Sequence, residues 1–217
     1  MRKVYCTLDT ETLGGATNPK NAYHIGGVIH DREGEIIAPF NLLVAVCYDQ
    51  IRDDDYHKAH FDAYEEMVKN GTATFVPTLE SAVTLVASLL DHYNVDTVMA
   101  FNASFDLIKG ACSPLIEGRN FIDLWLMACE TLAIRKKFSE FCHAHGLQSR
   151  SLKSCSTSAE TFYAYITDDP LYEEQHTAFE DSLIELEIFK ACIAAKKKFR
   201  QNATMYDVCG FKLCPKW

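Results

Sequence analysis

Val4-Tyr5-Cys6-Thr7-Leu8-Asp9-Thr10-Glu11-Thr12 begins as an uncharged run and ends on two carboxylates. The first part, from Lys3 to Leu8, reads as a buried strand. Side chains alternate along a strand, so Asp9 and Glu11 point to one face and Thr10 to the other. Two carboxylates on one face, beside Val4, Cys6 and Leu8, repel each other and lose hydration unless a cation stands between them. The plainer alternative is a strand end whose acids face water. Hard oxygen donors would select magnesium or manganese.

Working outward, His24 to His30 and Glu35 to Val46 read as two further strands, with Asp31-Arg32-Glu33-Gly34 as the turn between them. Helical spacing follows over Ala59 to Lys69. A longer helix begins after Pro77, with Thr78 as its cap and Val83, Val86, Leu89 and Leu90 on its inner face. Asp96 to Phe101 is a short apolar strand, Ala103 to Ala111 is helical, and Phe121 to Leu124 is a last short strand. Leu124 to Ala133, Lys136 to His145, Ser158 to Ile166 and Thr177 to Phe199 are helical, the last with Leu183, Leu186, Phe189 and Ile193 as its buried stripe. A three-strand meander followed by strands alternating with helices is an α/β mixed sheet. Residues 1–217 form one domain, with a C-terminal tail over about 200–217.

A chain of 217 residues with 48% apolar content buries a sizeable core as one domain. No apolar run reaches the roughly 20 residues that cross a bilayer, and Met1-Arg2-Lys3 leads straight into a strand, so the expectation is a cytoplasmic protein with no membrane partner. Nine cysteines at irregular spacing point to reduced thiols. Cys209 and Cys214 lack the two further ligands that a zinc site requires, and His143 and His145 beside Cys142 read as surface residues before Gly146. The net charge of −9 argues against coating long stretches of nucleic acid, although an enzyme gripping one strand end needs no such surface. Basic residues gather at Arg135, Lys136 and Lys137 and again at Lys196, Lys197, Lys198 and Arg200. Both groups suit a solvated helix face, and the first is the better candidate for phosphate contact.

Two other segments carry acids. Asp106 closes Phe101-Asn102-Ala103-Ser104-Phe105-Asp106 in the first turns of a helix, where an acid also suits the helix dipole. His176 precedes Asp181 by five residues. On one helix they would point about 140° apart, so both reach one site only if His176 lies on the lead-in turn and Asp181 inside the helix. Alone, His176 reads equally as a surface histidine at a helix start.

In this order and with these neighbours, the segments resemble the three motifs of the DEDD exonucleases, in the branch that adds a histidine (DEDDh), over about residues 4–189. That family includes polymerase proofreading exonucleases, the oligoribonuclease and RNase T types, and free-standing phage and bacterial enzymes. The resemblance implies a ribonuclease H-like fold, a five-stranded mixed sheet flanked by helices. It implies a 3'–5' exonuclease that releases 5'-mononucleotides from the 3' end of single-stranded DNA or RNA with two divalent metal ions, Mg2+ or Mn2+. The metal ligands it assigns are Asp9, Glu11, Asp106 and Asp181, with His176 taking a proton from the attacking water. It gives Thr12 and Leu13 to the terminal nucleotide, Leu13 as the apolar wedge, and it fits Asn102 and Phe105 to the second motif. Ser158-Ala159-Glu160 resembles stretches before the last motif of phage-type relatives, whose setting would be a host cytoplasm. A proofreading subunit, or an inactive nucleic-acid or polymerase-binding module on the same fold, is the alternative; no polymerase partner is indicated. The sequence does not separate DNA from RNA.

Overall fold

The computed structural model describes residues 3–13, 18–46, 50–51, 61–151, 153–195, 199–208 and 214–216. Most of the acidic segment 49–55, the three lysines 196–198, and Cys209 lie outside the described residues.

The meander is present as β1 (Val4–Thr12), β2 (Ala22–Asp31) and β3 (Ile36–Val44), paired antiparallel. Helix α1 (Phe61–Asn70) then leads to β4 (Thr74–Val76) and to α2 (Leu79–His92). Thr78 caps α2 as expected, its hydroxyl accepting from the Ser81 N–H. β5 (Thr97–Ala100) lies parallel to β1, and β6 (Asn120–Asp123) lies parallel to β5. The sheet order is β4-β3-β2-β1-β5-β6.

The sheet therefore has six strands where the sequence reading gives five. The additional one, β4, is three residues long, pairs with Leu42 to Val44 of β3, and stops before Pro77. Three residues carry no readable alternation, and β4 forms because β3 offers an open edge.

After β6 the chain forms α3 (Leu124–Ala128), which runs on as a π-helical stretch (Cys129–Ala133), then α4 (Lys136–His145), α5 (Ala159–Thr167), α6 (Ala178–Ala195) and the short α7 (Met205–Val208). Gly146 ends α4 in the left-handed conformation, with His143 and His145 exposed.

Both faces of the sheet are covered, and all ten residues of β2 are buried. One core places Cys6, Leu8, Ile25 and Ile29 against Val86 and Leu90 of α2; the other places Tyr5, Val28, Met99 and Ile122 against α3, α5 and α6. Helix α6 packs on β1 and β2 on one side and on α3 and α5 on the other. Its buried surface is therefore wider than the expected stripe: Leu186 and Phe189 are buried as read, together with Ile184, Ile188 and Cys192, while Leu183 and Ile193 are only partly covered. Cys6, Cys112, Cys129, Cys142, Cys155 and Cys192 are buried thiols outside any disulfide, and Cys214 is a partly exposed one. No helix among the described residues is long and apolar enough to cross a membrane.

Gly26 sets how closely α6 sits on the sheet. A Cβ there would lie 2.2 Å from the Phe179 nitrogen and 2.3 Å from the Ala178 carbonyl carbon, both backbone atoms. Gly26→Ala is expected to push the start of α6 off β2 and to destabilise the protein by about 1–3 kcal/mol, as overpacking does. A urea or thermal melt reads this directly, and an unchanged midpoint would refute the close approach.

Candidate metal centre and cleft

In the β1–β2 register Asp9 faces Gly26 and Glu11 faces His24. The first turn of α6 descends onto this part of the sheet. His24 receives it: the Ala178 N–H donates to His24 Nδ1 at 3.2 Å, and His24 Nε2–H donates to Asn41 Oδ1 at 2.6 Å. The imidazole thus serves as cap for a helix N–H, a use that needs one bare nitrogen. Burial holds it neutral, with its pKa pushed down to about 4.

This docking brings Asp181, in the first turn of α6, over the carboxylates of β1. Asp9, Glu11 and Asp181 each offer an oxygen, and the three oxygens lie within 4.8 Å of one another. Asp181 Oδ1 is buried without a hydrogen-bond partner among the described residues. An all-oxygen donor set with an orphaned oxygen fits a hard divalent cation such as Mg2+ or Mn2+.

Asp106 arrives from the neighbouring strand. β1 continues to Thr12, whereas its pairing with β5 ends at Thr7 opposite Met99. The chain leaving β5 turns at Asn102, in the left-handed region with φ of 62°, and enters a π-helical segment (Ser104–Lys109). Asp106 in that segment accepts from both the Thr10 hydroxyl, at 2.5 Å, and the Thr10 backbone N–H. Thr10 points away from Asp9 and Glu11, as the alternation requires, and it thereby anchors the buried Asp106 at the edge of β1.

Of the other residues singled out in the sequence, Thr12 is buried and Leu13 is 8% exposed at the margin of the first core. His176 lies two residues before α6, outside the helix that carries Asp181, which satisfies the angular condition. Its backbone is left-handed, with φ of 53°, and the Tyr64 hydroxyl donates to its carbonyl at 3.0 Å. The His176 side chain is not among those lining the cleft.

That cleft, of about 620 Å³, opens beside the acids. Asp9 and Asp181 share it with Phe101, Trp125, Arg150 and Tyr206. Trp125 Nε1–H donates to the Thr157 hydroxyl at 3.1 Å, and its ring meets Tyr206 edge-on with centroids 5.8 Å apart. Asp123 builds this wall: its carboxylate accepts from the Trp125 and Leu126 N–H groups at the start of α3 and from the Met205 N–H at the start of α7. Asn102 and Tyr206 also border a second cleft, of about 450 Å³, which holds Phe105, Ile108 and Lys109. Phe105 lines this second cleft and not the first.

The sequence reading missed Arg150, Trp125 and Tyr206, which only the fold brings together. The group it favoured for phosphate contact does not line the cleft: Arg135 Nε donates to the Thr131 carbonyl, and Lys136 pairs with Glu140 in solvent. It also missed two acids of the cleft, Glu174 and Glu185. Glu185 had a legible signal, since it follows Asp181 by one helical turn. No family model and no curated protein sequence matches this chain.

Burial and mutual repulsion raise the proton affinity of these acids. Asp181 is pushed up to about 8 by burial and then by Glu174 and Glu180. Asp106 rises to about 7, mainly through burial and against the hydrogen bonds from Thr10, and Glu174 rises to about 7 through burial and Glu160. Asp9 and Glu11 move the same way, by burial first and then by the surrounding carboxylates.

Between pH 6.5 and 8.5 Asp181, Asp106 and Glu174 lose protons in the folded protein, whereas in the unfolded chain they are already ionised. Native stability falls as pH rises through that window. The buried His24 and His30, whose pKa values are held near 4, oppose this trend, most strongly below pH 6.5 and only weakly above it. In chelator the melting temperature is expected to drop by several degrees from pH 6.5 to 8.5, and millimolar Mn2+ is expected to reverse the drop. A flat melting profile in chelator would refute the acidic strain.

Proposed function

We propose that this chain is a metal-dependent 3'–5' exonuclease of the DEDDh type, on a ribonuclease H-like fold, acting on single-stranded DNA or RNA ends. The observation that carries the reading is the meeting of Asp9, Glu11 and Asp181 within 4.8 Å at a cleft walled by Phe101, Trp125 and Tyr206. Carboxylates alone suit many cation sites. Carboxylates beside aromatic faces and a guanidinium suit a nucleotide, whose base stacks and whose phosphate takes charge-assisted hydrogen bonds.

Asp9, Glu11 and Asp181 would hold one divalent ion, and Asp9 with Asp106 would support the second. Two such ions supply an acidified water and neutralise the leaving 3'-oxygen in phosphodiester hydrolysis. Thr10 keeps Asp106 at the edge of β1. Arg150, which lines the cleft, would meet a phosphate oxygen, and Tyr206, half exposed, would stack an unpaired base. The resemblance gives His176 the proton of the attacking water; the Tyr64 hydroxyl holds its carbonyl on the lead-in turn, and its side chain would have to turn toward the cleft to act. The resemblance gives Thr12 and Leu13 to the terminal nucleotide. An inactive binding module would be free to lose an acid or His176, and the chain keeps all five residues.

The test is hydrolysis of 5'-labelled single-stranded DNA and RNA with Mg2+ or Mn2+. The expected product is a ladder shortening one nucleotide at a time from the 3' end, abolished by chelator and by Asp9→Ala. His176→Ala is expected to slow the reaction by roughly 10²- to 10⁴-fold, the range for loss of a general base, with Mn2+ binding intact. Tyr206→Ala is expected to weaken oligonucleotide binding by roughly 5- to 150-fold, the equivalent of one stacked base. No metal-dependent cleavage of either strand would overturn the proposal.

A further inference from the structure

Two acids of the cleft, Glu174 and Glu185, are not used by the reading above, and of these Glu185 is the buried one. It lies one turn after Asp181 on the same side of α6 and lines the same cleft as Asp9 and Asp181. It is 2% exposed, which is exceptional for a glutamate without a cationic partner. The Phe101 backbone N–H donates to its carboxyl group, and no lysine or arginine is paired with it among the described residues. Its Oε2 is buried and has no hydrogen-bond partner there.

A buried carboxyl oxygen with no partner costs free energy that a leucine at the same place would avoid. The cost is removed if a cation takes that oxygen. Glu185 stands outside the Asp9, Glu11 and Asp181 triad. The acids bearing on Asp9 are, in decreasing strength, Asp106, Glu185, Asp181 and Glu11. The first two of these stand outside the triad.

We infer that Glu185 is a direct ligand of a second divalent cation, bound between Asp9, Asp106 and Glu185, with Asp9 shared between the two cation positions. This inference deepens the exonuclease reading and rests on its two-ion site. The second ion gains a protein oxygen from α6, so both cations are held between the same helix and β1. Phe101 N–H orients the glutamate, which ties the second ion to the end of β5 as well.

The experiment is Mn2+ titration of the whole chain without nucleic acid, followed by calorimetry and by the paramagnetic resonance of bound Mn2+. Wild type is expected to bind two ions. Glu185→Gln keeps the shape and an acceptor for Phe101, and is expected to keep one ion at wild-type affinity while the other weakens at least tenfold. Glu185→Asp, which keeps the charge but withdraws the oxygens, is expected to weaken that same ion. Glu11→Gln is expected to weaken the other. Two ions at wild-type affinity in Glu185→Gln, or fewer than two in wild type, would overturn the inference. Loss of one ion in Glu185→Gln with no nuclease activity in wild type would uphold this cation site and sink the exonuclease. A metal-dependent ladder with unaltered Mn2+ binding in Glu185→Gln would do the reverse.

Discussion

The seating of a helix start directly on a strand backbone governs the geometry of this protein. Gly26 leaves no side chain between β2 and the first turn of α6, and the His24 imidazole beside it accepts the Ala178 N–H. Asp9 and Glu11 are the β1 partners of these two residues. The place where the helix can approach is therefore the place where the strand carries its carboxylates, and Asp181 arrives among them as a consequence. A larger residue at 26 would lift the helix and separate the three oxygens without altering any of them.

The acids gathered in this way work against the fold. Their charges repel, burial raises their proton affinity, and Asp181 and Glu185 each keep an oxygen without a hydrogen-bond partner among the described residues. The surrounding structure opposes this with neutral anchors. His24 bridges α6 to Asn41, Thr10 grips Asp106 by its hydroxyl and its N–H, and Tyr64 holds the His176 carbonyl. Sites that concentrate like charge at a local energetic cost are commonly functional. The two extensive cores on either side of the sheet supply the stability that tolerates it.

The cleft wall has a different origin. Asp123 is an acid whose work is structural: its two oxygens collect N–H groups from α3 and α7, and so set Trp125 and Tyr206 against each other. A segment near the C-terminus thereby faces a site whose acids begin at residue 9. The Asn202 side chain strengthens the same link, accepting from the Phe121 N–H and donating to Asn120.

Local order and periodicity determined the α/β class, the meander, most of the helices, and the common face of Asp9 and Glu11, because each depends on residues close in sequence. The angular argument on His176 and Asp181 also needed only the pitch of a helix. Tertiary structure alone decided the rest. The strand β4 exists because β3 leaves an edge open, and three residues carry no pattern of their own. Arg150, Trp125 and Tyr206 share a cleft because loops and caps fold back over the sheet, which composition and spacing do not encode. Glu185 sat in plain view one turn beyond Asp181, yet its burial became visible only once α6 was packed on both sides. Side-chain direction is local, whereas the partner that a side chain meets is set by how distant elements pack.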